Sequence, residues 1–201
     1  LDATAIQLLL GRMERATAIL IGPGMGKGES AELIARAIIE QVDLPIVLDA
    51  DTLRPEVIES AAKRRKAGSG STILTPHTGE FTRMAKLEKK ELSNDTLKAF
   101  CREFQVTTVL KGPLTRICDG DTVRYSTFGG PVLSRGGSGD LLAGLIGGMI
   151  AQKHFDVSAA LSFGVILHGL AAERLAQEKG QVCVHTTQLL DYLPDVLRLS
   201  S

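Results

Sequence analysis

Apolar and polar positions along this chain fall into blocks of changing period. Residues 4–14 place apolar side chains at helical spacing. Ala18–Ile21 is a short apolar run that empties into GPGMGKGES, a strand followed by a glycine turn. Helical spacing returns over Ser30–Val42. Pro45–Leu48 reads as a second buried strand ending at Asp49-Ala-Asp51, and Pro55–Lys66 as a helix with proline in its first turn. Thr72–Leu74 predicts a third strand, ending in TPHTGE. Ser93–Phe104 predicts a helix, and Thr107–Leu110 a fourth strand ending in KGPLT. Arg116–Asp119 and Val123–Ser126, joined by Gly120-Asp121, read as a hairpin. Helices follow over 139–152 and 157–179. The last is apolar on more than one face, so Leu161, Phe163 and Leu167 are expected to serve an oligomer interface.

The alternation of strand and helix implies an α/β protein: a three-layer α/β/α sandwich on a mostly parallel sheet, with residues 1–201 in one domain. No internal repeat or linker interrupts it. Each of the four parallel-type strands runs into a polar or glycine-rich motif. In open α/β sheets, ligands sit at the carboxyl ends of the strands, so the four motifs are expected to meet at one site.

Composition narrows the class. Of 201 residues 44% are hydrophobic but only 4% aromatic, with no Trp, so aliphatic side chains must fill the core. A formal net charge of +0 without long runs of one sign argues against nucleic-acid or membrane-surface partners, and leaves local anion binding open. Three dispersed cysteines without a CxxC pair, and four histidines without HExxH, argue against a disulfide framework or structural zinc and fit a reducing cytoplasm. The longest apolar run, Leu141–Ala151, is too short and too glycine-rich to span a bilayer. The first residues lack a signal-peptide pattern, and a start at Leu fits a processed or partial chain.

The richest chemistry lies in Gly136-Gly137-Ser138-Gly139-Asp140, ahead of an apolar helix. Glycines let backbone approach a ligand, and helix N-terminal N–H groups point at it, which makes an anion hole suited to a transferring phosphoryl group. Asp140 beside it can accept the proton of an attacking hydroxyl. The competing reading is a first-turn carboxylate that complements the helix dipole by about 0.3–1 kcal/mol. It accounts for Asp140 but not for the glycines.

GPGMGKGES is not a P-loop, because Ile21 stands where the first Gly is needed. Gly26, Gly28 and Ala31 match the looser dinucleotide fingerprint, with Asp49 and Asp51 about twenty residues on; a tight strand-to-helix turn is the alternative. Asp49 ends a buried strand, where it can organise magnesium through water or cap a turn. His77 can hydrogen-bond substrate, and Glu80 can equally open the next helix. Lys111 can meet a phosphate or be solvated. His168, inside an apolar helix, reads as a core histidine, and Cys118 as packing. His154 and His185 have no supporting context.

GPGMG (22–26), VLDADTL (47–53), LTPHTGEF (74–81), VLKGPLT (109–115) and GGSGDLLAGLIGGMIAQ (136–152), in this order, resemble the NAD(P)H-hydrate dehydratase family, whose members have a ribokinase-like fold. The resemblance runs from about residue 18 to the C-terminal LLDYLP. It implies repair of hydrated NADH or NADPH (NADHX, NADPHX): a nucleotide phosphorylates the added hydroxyl, and loss of phosphate restores the ring. By resemblance, Asp140 is the base and touches substrate with Gly24 and His77. Lys111, Gly112, Pro113, Leu114 and Thr115 hold the nucleotide, with Gly136, Gly137, Ser138 and Gly139. Mg2+ is expected on the phosphates, near Asp49 and Glu80 through water. ADP is the usual bacterial donor and ATP the eukaryotic one, and a cytoplasmic homotetramer is implied.

Three departures stand out. Thr78 replaces the family's proline. FGGPVLSR (128–135) lacks its asparagine and carries Arg135 near the anion hole, which bears on nucleotide preference. No segment matches the family's N-terminal part, so the domain is expected to be N-terminally incomplete. A ribokinase-fold kinase of a vitamin precursor and a non-catalytic dinucleotide-binding module are the rival readings; KGPLT with TPHTGE favours the dehydratase.

Overall fold

The computed structural model describes residues 3–26, 28–66 and 70–198, so Lys27 of the GPGMGKGES turn lies outside it. In chain order the elements are α1 (Ala3–Arg12), β1 (Ile19–Ile21), α2 (Glu29–Gln41), β2 (Ile46–Leu48), α3 (Pro55–Lys66), β3 (Thr72–Leu74), α4 (Thr78–Met84), α5 (Asn94–Phe104), β4 (Thr107–Leu110), β5 (Thr115–Cys118), β6 (Val123–Ser126), α6 (Ser138–Ala151), α7 (Val157–Lys179) and α8 (Leu193–Arg198). Short 3-10 turns cover Ala50–Thr52, Lys89–Glu91, Pro131–Leu133 and Thr186–Tyr192.

The six strands lie in sequence order. β1 to β4 are parallel, with Ile19 opposite Ile46, Val47 opposite Ile73 and Leu74 opposite Thr108. β5 and β6 add an antiparallel hairpin, as the Gly120-Asp121 turn predicted. Side chains alternate across the sheet. Val47, Ile73, Val109 and Ile117 meet Ile146, Leu161 and Val165 of α6 and α7. Ile46, Leu48, Leu74 and Leu110 meet Ile38, Ile39, Val57, Phe81 and Leu97 of α2 to α5. These are the three layers expected. The central strands β2 and β3 are buried at every residue, as parallel strands covered on both faces must be.

α8 was not foreseen, and α4 only as the helix that Glu80 could open; at 6 and 7 residues they are too short to display a helical period. The interface expectation for α7 needs correction. Leu161 and Leu167 are 0% and 3% exposed, spent on the core, and only Phe163 is half-buried, stacked on Phe155. α7 has the length and apolarity of a membrane span, but its apolar side chains serve this core.

Arg64 is a second unforeseen feature. It is buried and donates to the carbonyls of Val42, Leu44 and Gly70, fixing α3 to the loops that enter β2 and β3.

Candidate active site

The parallel strands deliver their following loops to one edge of the sheet. After β1, Gly22 turns the chain at φ 132°, where a Cβ would lie 1.7 Å from the Asp49 carbonyl oxygen; only glycine passes there. The Asp49 N–H donates to Ile21 O at 3.0 Å, and the Thr52 hydroxyl donates to Ile21 O and Asp49 O. The Asp51 carboxylate accepts the Gly26 N–H at 2.8 Å. Asp51 therefore ties down the GPGMG turn, which is the tight-turn reading of that motif.

Asp49 is 1% exposed and stands at the N-cap of the 50–52 turn, but its side chain makes no cap hydrogen bond. Its Oδ1 instead takes the Lys111 ammonium at 2.9 Å, from the end of β4. Lys111 is thus paired across two strands, not merely solvated. Its N–H donates to Pro76 O at 2.8 Å, which extends the β3–β4 ladder and seats Lys111 beside His77.

His77 caps α4. Its Nδ1 accepts the N–H groups of Gly79 and Glu80 at 3.0 and 3.2 Å, and Glu80 Oε2 accepts the His77 N–H at 2.8 Å. A nitrogen that accepts two N–H bonds carries no proton, so the imidazole proton sits on Nε2, 3.5 Å from Glu80 Oε1. Glu80 opens the helix, as one of its two readings had it.

The GGSGD segment begins α6, with Gly137 as its N-cap and Asp140 exposed in the first turn. Gly139 lies so close to Lys111 that a Cβ there would stand 2.9 Å from Nζ. Ser138 is buried, and its hydroxyl is 3.3 Å from Nε2 of His168 on α7. Burial, assisted by the Lys111 charge, pushes the His168 pKa down to about 4, so the ring is neutral near pH 7. Sequence reasoning placed His168 in the core and missed this contact; its helical, apolar surroundings gave no sign that it faces the α6 N-terminus.

One cleft of about 810 Å³ joins these groups. Asp49, His77, Glu80, Lys111, Gly112, Pro113, Thr115, Ser138, Gly139 and Asp140 line it, with His168 and Arg135. Gly24, Leu114, Gly136 and Gly137 do not line it, although Gly24 sits in the exposed turn after β1 and Gly136–Gly137 lead into α6. Arg135 is tied off: it donates to the carbonyls of Val132, Gln181 and Val182, and so binds the 131–135 loop to the segment after α7.

The donor set does not make a metal cage. Among the described residues no three His, Cys, Asp or Glu side chains group together. Asp49 is engaged by Lys111 and Glu80 by the His77 cap. Magnesium near these two carboxylates through water, as the resemblance implies, needs no such cage, because nucleotide phosphates commonly bring Mg2+ with few protein ligands.

A parallel sheet between helical layers, with a glycine-rich helix start and its Asp at the strand ends, defines the ribokinase-like class. A ribokinase-like superfamily protein of Enterococcus faecalis V583 superposes with a TM-score of 0.79 at 27% identity, covering 97% of this chain and 67% of that one. Within that class, residues 2–195 match the NAD(P)H-hydrate dehydratase family, and the chain belongs to it. The ADP-dependent (S)-NAD(P)H-hydrate dehydratase of Bacillus subtilis is 36% identical over 188 residues, 91% of this chain and 64% of the relative. The bifunctional NAD(P)H-hydrate repair enzyme Nnr of Coxiella burnetii is 37% identical over 182 residues, 89% of this chain. The chain spans only 36% of that relative's length. A crystal structure of the ADP/ATP-dependent dehydratase from Bacillus subtilis, co-crystallised with ATP/Mg2+ and soaked with CoA, superposes with a TM-score of 0.81 at 32% identity, covering 94% of this chain and 68% of that one.

Proposed function

We propose that this protein dehydrates hydrated NADH or NADPH at the expense of ADP or ATP, with magnesium on the nucleotide phosphates. The observation that carries the reading is the convergence of Asp140, the Gly139 backbone, Lys111 and His77 on one cleft. Asp140 takes the proton of the hydroxyl on the hydrated ring. The hydroxyl oxygen forms a bond to the terminal phosphorus of the nucleotide, and the bond to the leaving phosphate oxygen breaks. Charge on the transferring group is met by the N–H groups of the α6 N-terminus and by Lys111. Phosphate then leaves the ring carbon, pushed by the electron pair of the ring nitrogen, and loss of a proton from the neighbouring carbon restores the double bond. Hydroxide is a poor leaving group and phosphate a good one, which is why a nucleotide is consumed. His77, with its proton on Nε2, is a donor toward the substrate. The proposal includes a cytoplasmic setting and a homotetrameric assembly, as the family resemblance implies.

The test is to incubate the protein with hydrated NADH, magnesium and each nucleotide, following reduced nicotinamide absorbance and phosphate release together. Equal amounts of NADH and phosphate are expected. A stable phosphorylated product without NADH, or ligand binding without turnover, overturns the proposal. Asp140→Asn should lower turnover by about a hundredfold or more and leave nucleotide affinity little changed. Turnover near that of the unaltered protein would reduce Asp140 to a helix-start carboxylate.

A further inference from the structure

We infer that Asp49 is a positioning residue for Lys111: it holds the ammonium against the N-terminus of α6, where the phosphoryl group is transferred. The inference rests on the proposed reaction and adds a role outside the binding residues that the family resemblance implies. Lysine is a compact charge on a long, mobile stem, and the N-terminus of α6 is positive. Left alone, the ammonium is repelled from that helix end. Yet Nζ lies where a Cβ on Gly139 would be within 2.9 Å. The force that brings it there is the Asp49 carboxylate, 2.9 Å away.

Asp49 suits the task. Its backbone is bonded on both sides, through its N–H to Ile21 O and through its carbonyl to Thr52. It is 1% exposed, and its Oδ2 has no hydrogen-bond partner among the described residues, so Lys111 is the charge that compensates it. An ammonium has three N–H donors; one is used on Asp49, and two remain for phosphoryl oxygens. Gly139 supplies the clearance. Asp49 thus acts through Lys111 and not as a magnesium ligand.

A double-mutant cycle tests this on the full chain, with Asp49→Asn, Lys111→Met and the pair. Three readouts apply: thermal unfolding, ADP affinity with and without magnesium, and turnover. Asp49→Asn should lower kcat by about ten- to a hundredfold, the scale of a misplaced reacting group, with an unchanged magnesium requirement. In the Lys111→Met background it should add less than twofold. Lys111→Met strands a buried carboxylate, so the double variant should melt higher than Lys111→Met alone. A raised magnesium requirement in Asp49→Asn, equal effects of Asp49→Asn in both backgrounds, or a double variant no more stable than Lys111→Met alone would each overturn the assignment. Should the unaltered protein show no turnover, the proposed reaction falls. The unfolding and ADP titrations still decide the pairing, because coupled losses support it and additive losses defeat it.

Discussion

Replacing Gly139 by Ala isolates the contact that separates a capped helix from a phosphoryl-transfer site. The new methyl would lie 2.9 Å from Lys111 Nζ, 3.7 Å from its Cε and 3.8 Å from its Cδ. An ordinary contact needs about 3.5 Å, so the ammonium must withdraw by about 0.6 Å. The atom that gives way is the end of a flexible side chain, and the fold need not shift. At most, with the whole withdrawal taken along the Asp49 pair, its length grows from 2.9 Å to about 3.5 Å and it weakens from about 5.7 to about 4.7 kcal/mol at an effective dielectric of about 20, a loss of about 1 kcal/mol. Alanine in a helix recovers up to about 1 kcal/mol over glycine. Stability should therefore change by less than about 1 kcal/mol, a melting shift within about 4 °C for a chain of this size. Catalysis has no such offset, because displacement approaching 1 Å at a reacting group costs about a hundredfold. Melting temperature, nucleotide affinity and turnover measured on one preparation should show a nearly unaltered fold, weaker nucleotide binding and turnover down about ten- to a hundredfold. Turnover within twofold of the unaltered protein would refute the reasoning, and so would a large loss of melting temperature, which would make Gly139 a packing requirement.

The remaining predictions concern stability. His168 has a folded pKa of about 4, below its ordinary 6.5. The unfolded chain therefore binds a proton that the folded one refuses as pH falls from 6.5 toward 4. Stability should fall across that window by up to about 3 kcal/mol from this group, and denaturant unfolding of His168→Gln should show a flatter pH dependence there; an unchanged slope would contradict the assignment. Arg64→Met removes the donors to the carbonyls of Val42, Leu44 and Gly70 and should cost about 3 kcal/mol in urea unfolding, with less than 1 kcal/mol counting against it. Ile146→Ala, at a fully buried α6 position against the sheet, should cost about 2–5 kcal/mol with cooperative unfolding retained, and a loss below 1 kcal/mol would contradict its place in the core.

Most of the secondary structure was legible because it is written locally. Buried parallel strands are short apolar runs, the long helices carry a period, and glycine-rich turns mark where strands end. Those local rules also placed Asp140 at a helix start and gathered the four loop motifs at one edge of the sheet. α4 was legible only as the alternative role of Glu80, since its capping box lies within a few residues but its length is too short for a period. What the sequence could not give was partnership. It showed that Asp49 would be costly to bury alone, but not that its counter-charge stands 62 residues away on Lys111. It placed His168 in a core, but not against Ser138, 30 residues away. It brought Arg135 close to the anion hole, but not to the carbonyls of Gln181 and Val182, which both accept from one of its terminal nitrogens. A buried charge or a free donor fixes only that some partner must exist. Which group answers is decided by strand order, register and the face each helix presents, and these exist only once the chain has folded.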